Sequence, residues 1–198
     1  MLSLLLMLLL ALGAPQQGPA KQGPTPPPAP PAKAEPELLV WSAKRPLTWA
    51  DFKARPASGD PLHAMTTANI GAKIGCQDYV FSSTVQATFT PAESWVKTPQ
   101  TASAALLRHE QVHFDLTEVY ARRMRQRLKA TKFDCEKLQP AFNNLMKQTI
   151  SEWQREQQRY DVESNHGLNL VQQQAWDQKV QQRLLESQAY ALDEPAAN

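Results

Sequence analysis

Nine of the sixteen prolines in this 198-residue chain fall within residues 1–36, where Lys21, Lys33 and Glu35 are the only charged side chains. Proline fixes φ and removes a backbone donor. The stretch PQQGPAKQGPTPPPAPPAKAEP (residues 15–36) therefore cannot build a packed core, and it favours an extended polyproline II spacer. Whatever folds must come from residues 37–198, which hold all five Trp, both Cys and all four His. About 160 residues suffice for one core, and folding on that scale hides about 70% of the unfolded surface. The chain carries 21 Lys+Arg against 19 Asp+Glu, a net charge of +2. That balance excludes the strongly basic face a nucleic-acid partner requires and excludes an acidic disordered chain.

Residues 1–14 read MLSLLLMLLLALGA. The run is too short for the roughly 20 apolar residues of a membrane span and has the length of the apolar region of a secretion signal. Gly18 and Ala20 supply small residues for cleavage, although the usual basic start is missing, the first Lys being Lys21. No Cys follows to take a lipid. The expected organisation is a signal peptide over residues 1–20, a proline-rich linker over 21–36 acting as a tether, and one domain over 37–198. Localisation is then periplasmic or secreted, with no integral membrane span after cleavage. In an oxidising compartment Cys76 and Cys135 are expected to pair. Closing a loop of about 59 residues is worth roughly 4 kcal/mol in the chain-entropy description.

Within the domain, residues 37–41 (ELLVW), 66–74 and 79–90 read as strands. In the last of these Phe81, Val85, Ala87 and Phe89 alternate with polar neighbours, the period of a strand with one buried face, and Pro91 ends it. Residues 46–55 suggest a short helical turn. Thr101 or Ser103 can cap a first helix reaching residue 130, with Ala105, Val112, Leu116, Val119 and Tyr120 on its core side. Arg122, Arg123, Arg125 and Arg127 read as its solvated C-terminal half, where positive charge suits the helix dipole. Asp134 or Pro140 opens a second helix to about residue 159, and a third covers about residues 168–190. The expected fold class is α+β, a small antiparallel sheet followed by three helices.

On the first helix stands His109-Glu110-Gln111-Val112-His113, the pattern HExxH. Side chains at i and i+4 share a helix face, so two imidazoles there can reach one zinc ion at about 2.0–2.1 Å. Glu110, rotated by about 100°, sits beside the pair and can take a proton from a zinc-activated water as general base. This is the metalloprotease division of labour. A catalytic zinc takes three protein ligands. His63 lies in a Pro- and Gly-bearing loop, whereas His166 lies at the turn between the second and third helices, which can fold back over the first. His166 is therefore the expected third ligand, with Asp161 and Glu163 as carboxylate alternatives. Asp115 is placed to hold a ligand imidazole or Arg108. Tyr160 and Tyr120 are phenols that can steady an oxyanion, or else pack in the core with Trp95 and Trp176.

The segment HEQVHFDLTEVYARRMRQRL, together with PLTWADFKARP, FTPAESWV, and YDVESNHG followed by Gln174 and Trp176, resembles a bacterial family of predicted secreted zinc-dependent proteases, a zincin-like domain of unknown function. The resemblance spans about residues 38–188, with Ser164 where the family pattern has Thr. It implies a zincin-like domain and a zinc metallopeptidase that takes peptide or protein substrates. Its ligands would be His109, His113 and His166, with Glu110 as general base. The competing expectation is a tethered, non-catalytic metal- or peptide-binding module of the cell envelope, which Glu110→Gln would leave unaltered. Oligomeric state is not indicated.

Overall fold

The computed structural model describes residues 37–192. The expected signal peptide and linker lie outside the described residues, as do residues 193–198. The class is α+β, with two small antiparallel sheets followed by three helices.

The main sheet is built on a hairpin of β3 (Ala68–Gln77) and β4 (Val80–Phe89), in register from Ala68 opposite Phe89 to Gln77 opposite Val80. Asp78 and Tyr79 turn the corner with φ of 50° and 61°, as a two-residue type I′ turn requires. A two-residue strand β1 (Leu39–Val40) adds to the other edge of β4, giving the order β1-β4-β3. Alternation along β4 turns Val85, Ala87 and Phe89 inward, and Ile70 of β3 joins them. A second sheet pairs β2 (Ala64–Met65) with β5 (Trp95–Val96).

Helix α1 (Ala104–Ala130) is capped by Ser103, whose hydroxyl accepts from the Leu106 amide. One buried stripe was expected on it; the structure buries it on two sides. Phe114, Ala121, Met124 and Leu128 pack with the sheet residues. Val112, Leu116 and Val119 pack instead with Tyr160 of α2 (Leu138–Ser164) and with Trp176, Val180 and Leu184 of α3 (Leu170–Glu186). A helix sandwiched in this way cannot show a single polar face.

The same burial corrects the reading of Arg122, Arg125 and Arg127 as a solvated helix end, whereas Arg123 is exposed as expected. Arg122 is fully buried and donates to Glu118 Oε1 at 2.8 Å and to the Leu184 carbonyl at 2.6 Å. Arg125 also donates to Glu118 and to the Val85 and Tyr190 carbonyls, while Arg127 pairs with Glu152. These arginines tie α1 to the sheet, α2 and the C-terminal segment. Cys76 and Cys135 form the expected disulfide, which links β3 to the connection between α1 and α2. Phe81 and Phe133 stack nearby, 4.5 Å between centroids.

Glu156 of α2 gathers the Tyr120 hydroxyl of α1 and the Arg183 guanidinium of α3, each at 2.8 Å. Burial opposes its charge, but these partners and Lys179 hold its carboxyl below the ordinary glutamate value. A carboxyl lowered in the folded state adds stability that is complete above its unfolded pKa, about 4.3, and is lost as pH falls through the folded value. Glu156→Gln is therefore expected to lower the urea midpoint near neutral pH. The gap to the parent should close as pH falls through the folded value, and a gap that persists unchanged in acid would show that the charge contributes nothing.

Candidate metal centre

His109 and His113 stand one turn apart on α1, and their ring nitrogens meet on its α2 side. Two glutamines set the ring tautomers. Gln157 Nε2 donates to the His113 carbonyl at 2.9 Å and to Thr117 Oγ1 at 3.2 Å. Its Oε1 must then face His113 Nδ1, 2.7 Å away, and accept that nitrogen's proton. Gln173 Oε1 accepts from the Tyr160 hydroxyl at 2.7 Å and lies 3.0 Å from His109 Nδ1. In this orientation an oxygen faces His109 Nδ1 and accepts its proton, and Gln173 Nε2 has no partner among the described residues. With both protons on Nδ1, each Nε2 offers a lone pair.

Those two lone pairs point at one place, together with a carboxylate. His109 Nε2 and His113 Nε2 are 3.2 Å apart, and Asp161 Oδ1 of α2 lies 3.2 Å from the first and 2.9 Å from the second. Among the described residues this is the one cluster of three His, Cys, Asp or Glu donors suited to a metal ion. Donors bound to zinc at 2.0–2.1 Å in tetrahedral geometry are about 3.3 Å apart. The observed spacings are close to that, and three converging acceptors repel one another unless a cation or proton sits among them. The donor set therefore fits a divalent metal. Burial disfavours a charged Asp161, yet its contacts with both imidazoles hold the carboxyl far below the usual range. Burial likewise disfavours a charged His113, but Asp161 and Glu110 together raise it above the ordinary histidine value.

The expected residues divide as follows. His109, His113 and the alternative ligand Asp161 come together. The expected third ligand, His166, lies beside them but outside the cluster: its side chain is 52% exposed, with Nδ1 3.6 Å from Asp161 Oδ1. The reason is helical register. Helix α2 was expected to end near residue 159, but it continues to Ser164, so Asp161 projects from its last turn towards α1. Asn165 then caps it in the left-handed region, and His166 (φ 51°) and Gly167 (φ 83°) follow in the same conformation. Glu163 faces elsewhere and accepts from Trp176 Nε1 at 2.8 Å.

Tyr160 is brought to the centre, but beneath it. The ring is fully buried and stacks on His109 at 4.7 Å. Its hydroxyl donates to Gln173 Oε1, with the His109 carbonyl as a second acceptor at 3.2 Å. Burial pushes its pKa upward. The hydroxyl thus faces Gln173 and the His109 backbone, and Tyr160 is not among the residues that line the cavity over the cluster. Tyr120 is engaged by Glu156, away from the centre. Asp115 is buried and accepts from Trp41 Nε1 and Gln111 Nε2, touching Arg108 at 3.5 Å but neither imidazole. Trp95 and Trp176 are core residues. Gln157 and Gln173 went unrecognised in the sequence. Gln157 precedes Asp161 by four residues, the spacing of a shared helix face, and that was the available signal.

Glu110 is 3% exposed, and among the described residues no donor reaches its carboxylate. It lines, with His109, His113, Asp161 and His166, a cavity of about 1100 Å³. The cavity's opposite wall includes β2 and the segment that follows it, through Ala68.

Gly167 seals the base of the centre. A Cβ there would stand 3.0 Å from His109 Cβ and 3.2 Å from Cγ. Gly167→Ala is expected to cost about 1–2 kcal/mol for the left-handed backbone alone and to push His109 from its seat. Zinc affinity measured by chelator competition should fall along with the melting temperature. An unchanged affinity would show that His109 does not depend on this contact.

The model of a bacterial protein family of unknown function, DUF922, matches residues 48–167. The chain belongs to the DUF922 family. The DUF922 region encloses HExxH, Asp161 and His166, and ends before Gln173 and the rest of α3. No curated protein and no solved structure matches the chain.

Proposed function

We propose that this DUF922 protein is a zinc metallopeptidase of the periplasm or extracellular space, hydrolysing peptide bonds with Glu110 as general base. One observation carries the reading: an unpaired, buried carboxylate adjoins a three-donor metal cluster on the wall of one large cavity. Held by His109, His113 and Asp161, zinc would supply a Lewis acid that acidifies water and polarises the substrate carbonyl.

The chain's own residues supply the rest. Glu110, engaged by no other donor, is free to take the attacking water's proton and pass it to the departing amide nitrogen. Gln157 and Gln173 hold the imidazoles in the tautomer that leaves both Nε2 atoms open. Among the described residues no strand pairs with the edge of β2 away from β5, and an extended peptide can add there by main-chain hydrogen bonds. The disulfide supports an oxidising compartment, and among the described residues no helix is long and apolar enough to cross a membrane.

Glu110→Gln tests the reading. Peptide hydrolysis by the zinc-loaded protein is expected to fall about a hundred- to ten-thousandfold, with zinc still bound. Hydrolysis that survives the change would remove Glu110 from the reaction. Its absence in the zinc-loaded parent would leave a non-catalytic module.

A further inference from the structure

A peptidase that trims chain ends must bind a terminal charge, whereas one that cuts within a chain need not. An end-binding site requires a cation for a C-terminal carboxylate or a spare carboxylate for an N-terminal ammonium. The cavity over the metal cluster has neither. Among the described residues no Lys or Arg lines it, and the two carboxylates that do are Glu110 and Asp161, one assigned to proton transfer and the other to the metal.

Beside threonine, serine and glutamine side chains, the walls offer apolar ones. Leu62 and Met65 stand on the β2 side, and Leu168 and Leu170 on the side of the α2–α3 turn. Leu168 and Leu170 are 72% and 65% exposed. Single exposed leucines are ordinary, but Leu168 and Leu170 are both exposed and both line the cavity, the combination that marks a binding surface. The turn holds the two leucines in a set place. Three successive residues, Asn165, His166 and Gly167, have positive φ, and Gly167 packs against His109. Leu168 and Leu170 therefore keep a defined position relative to the metal cluster.

We propose that the substrate enters as the interior of an extended polypeptide, with an uncharged apolar side chain seated against Leu168 and Leu170. The proposal rests on the metallopeptidase reading and deepens it by naming the substrate class. The bond broken is an internal amide; water supplies hydroxyl to the carbonyl carbon and a proton to the departing nitrogen.

The test uses the zinc-loaded full chain and synthetic decapeptides, some blocked by acetyl and amide groups and some with free ends. Leu or Phe occupies the central positions in one set and Glu in a matched set. Fragments are identified by mass spectrometry. Internal cleavage of the blocked Leu and Phe peptides is expected, at least about tenfold more efficient than that of the Glu peptides. Leu170→Glu should lower kcat/KM on the apolar peptides about tenfold, chiefly through KM, with zinc content unchanged; Leu168→Ser is a milder second variant.

Release of single terminal residues from unblocked peptides alone overturns the proposal, and loss of that release in His166→Ala would make His166 the partner of a free carboxylate. Equal cleavage of the Glu peptides, or indifference to both Leu variants, overturns it as well. No cleavage of any peptide by the zinc-loaded chain would instead bring down the metallopeptidase reading beneath it.

Discussion

Asp161→Ala should empty the metal centre, and His166→Ala should leave it filled. With zinc assayed by elemental analysis after dialysis against micromolar zinc, the parent is expected to hold about one ion per chain, as a site of three protein donors predicts. His109→Ala, His113→Ala and Asp161→Ala should each hold almost none, because the cluster then has two donors. His166 lies 3.6 Å from the Asp161 carboxylate and points half into solvent, so removing it subtracts no donor from the cluster. Replacing the supporting glutamines gives a graded effect. Gln157→Leu and Gln173→Leu should weaken zinc binding about 10- to 100-fold, since each Nδ1 proton loses its acceptor and the ring its orientation. Zinc lost in His166→Ala and kept in Asp161→Ala would reverse the assignment of the third ligand. The same assay identifies the metal. Two histidines and a carboxylate are also compatible with iron, and iron in the purified protein would redirect the chemistry away from hydrolysis.

The second large effect lies far from the cavity. Glu118→Ala is expected to destabilise the fold by about 3–5 kcal/mol, the usual cost of stranding a buried charge. The Glu118 and Arg122 side chains are each 3% exposed. Glu118 accepts from both Arg122 and Arg125, so its removal leaves two guanidinium groups without their carboxylate in the packed interior. Urea unfolding gives the measurement, and a loss below about 1 kcal/mol would place the pair among those that contribute as little as surface bridges. The double change Glu118→Met with Arg122→Met should recover much of the loss, because a buried ion pair exchanged whole for apolar volume is often neutral. Zinc content should not change in either variant.

These two regions also mark what the sequence could and could not disclose. HExxH was legible because its chemistry is local: five consecutive residues on one helix contain both imidazoles and the carboxylate beside them. The third donor of the cluster depends on where α2 stops. Asn165 and Gly167 are ordinary helix-ending residues, and weighting them over the expected end near residue 159 would have kept Asp161 in the helix, facing α1. The arginines of α1 looked solvated because a helix with sheet on one side and two helices on the other shows no clean polar face. Their hydrogen-bond partners, Glu118 apart, lie 22 to 66 residues away in sequence. The strand alternation ending at Phe89 and the pairing of Cys76 with Cys135 needed no such long-range information, and both were anticipated.

The packing of α3 against α1 bears on how this family should be handled in the laboratory. The family match stops at Gly167, and all three cluster donors fall inside it. A protein cut at those limits would keep every donor of the cluster and yet lack Gln173, which contacts His109, and Trp176, Val180 and Leu184, which cover Val112, Leu116 and Val119. It would also lose Trp41, whose indole caps Asp115 from the other end of the chain. The shared stretch of sequence is thus smaller than the unit that folds, and an inert or insoluble fragment of residues 48–167 would report on the cut rather than on the chemistry.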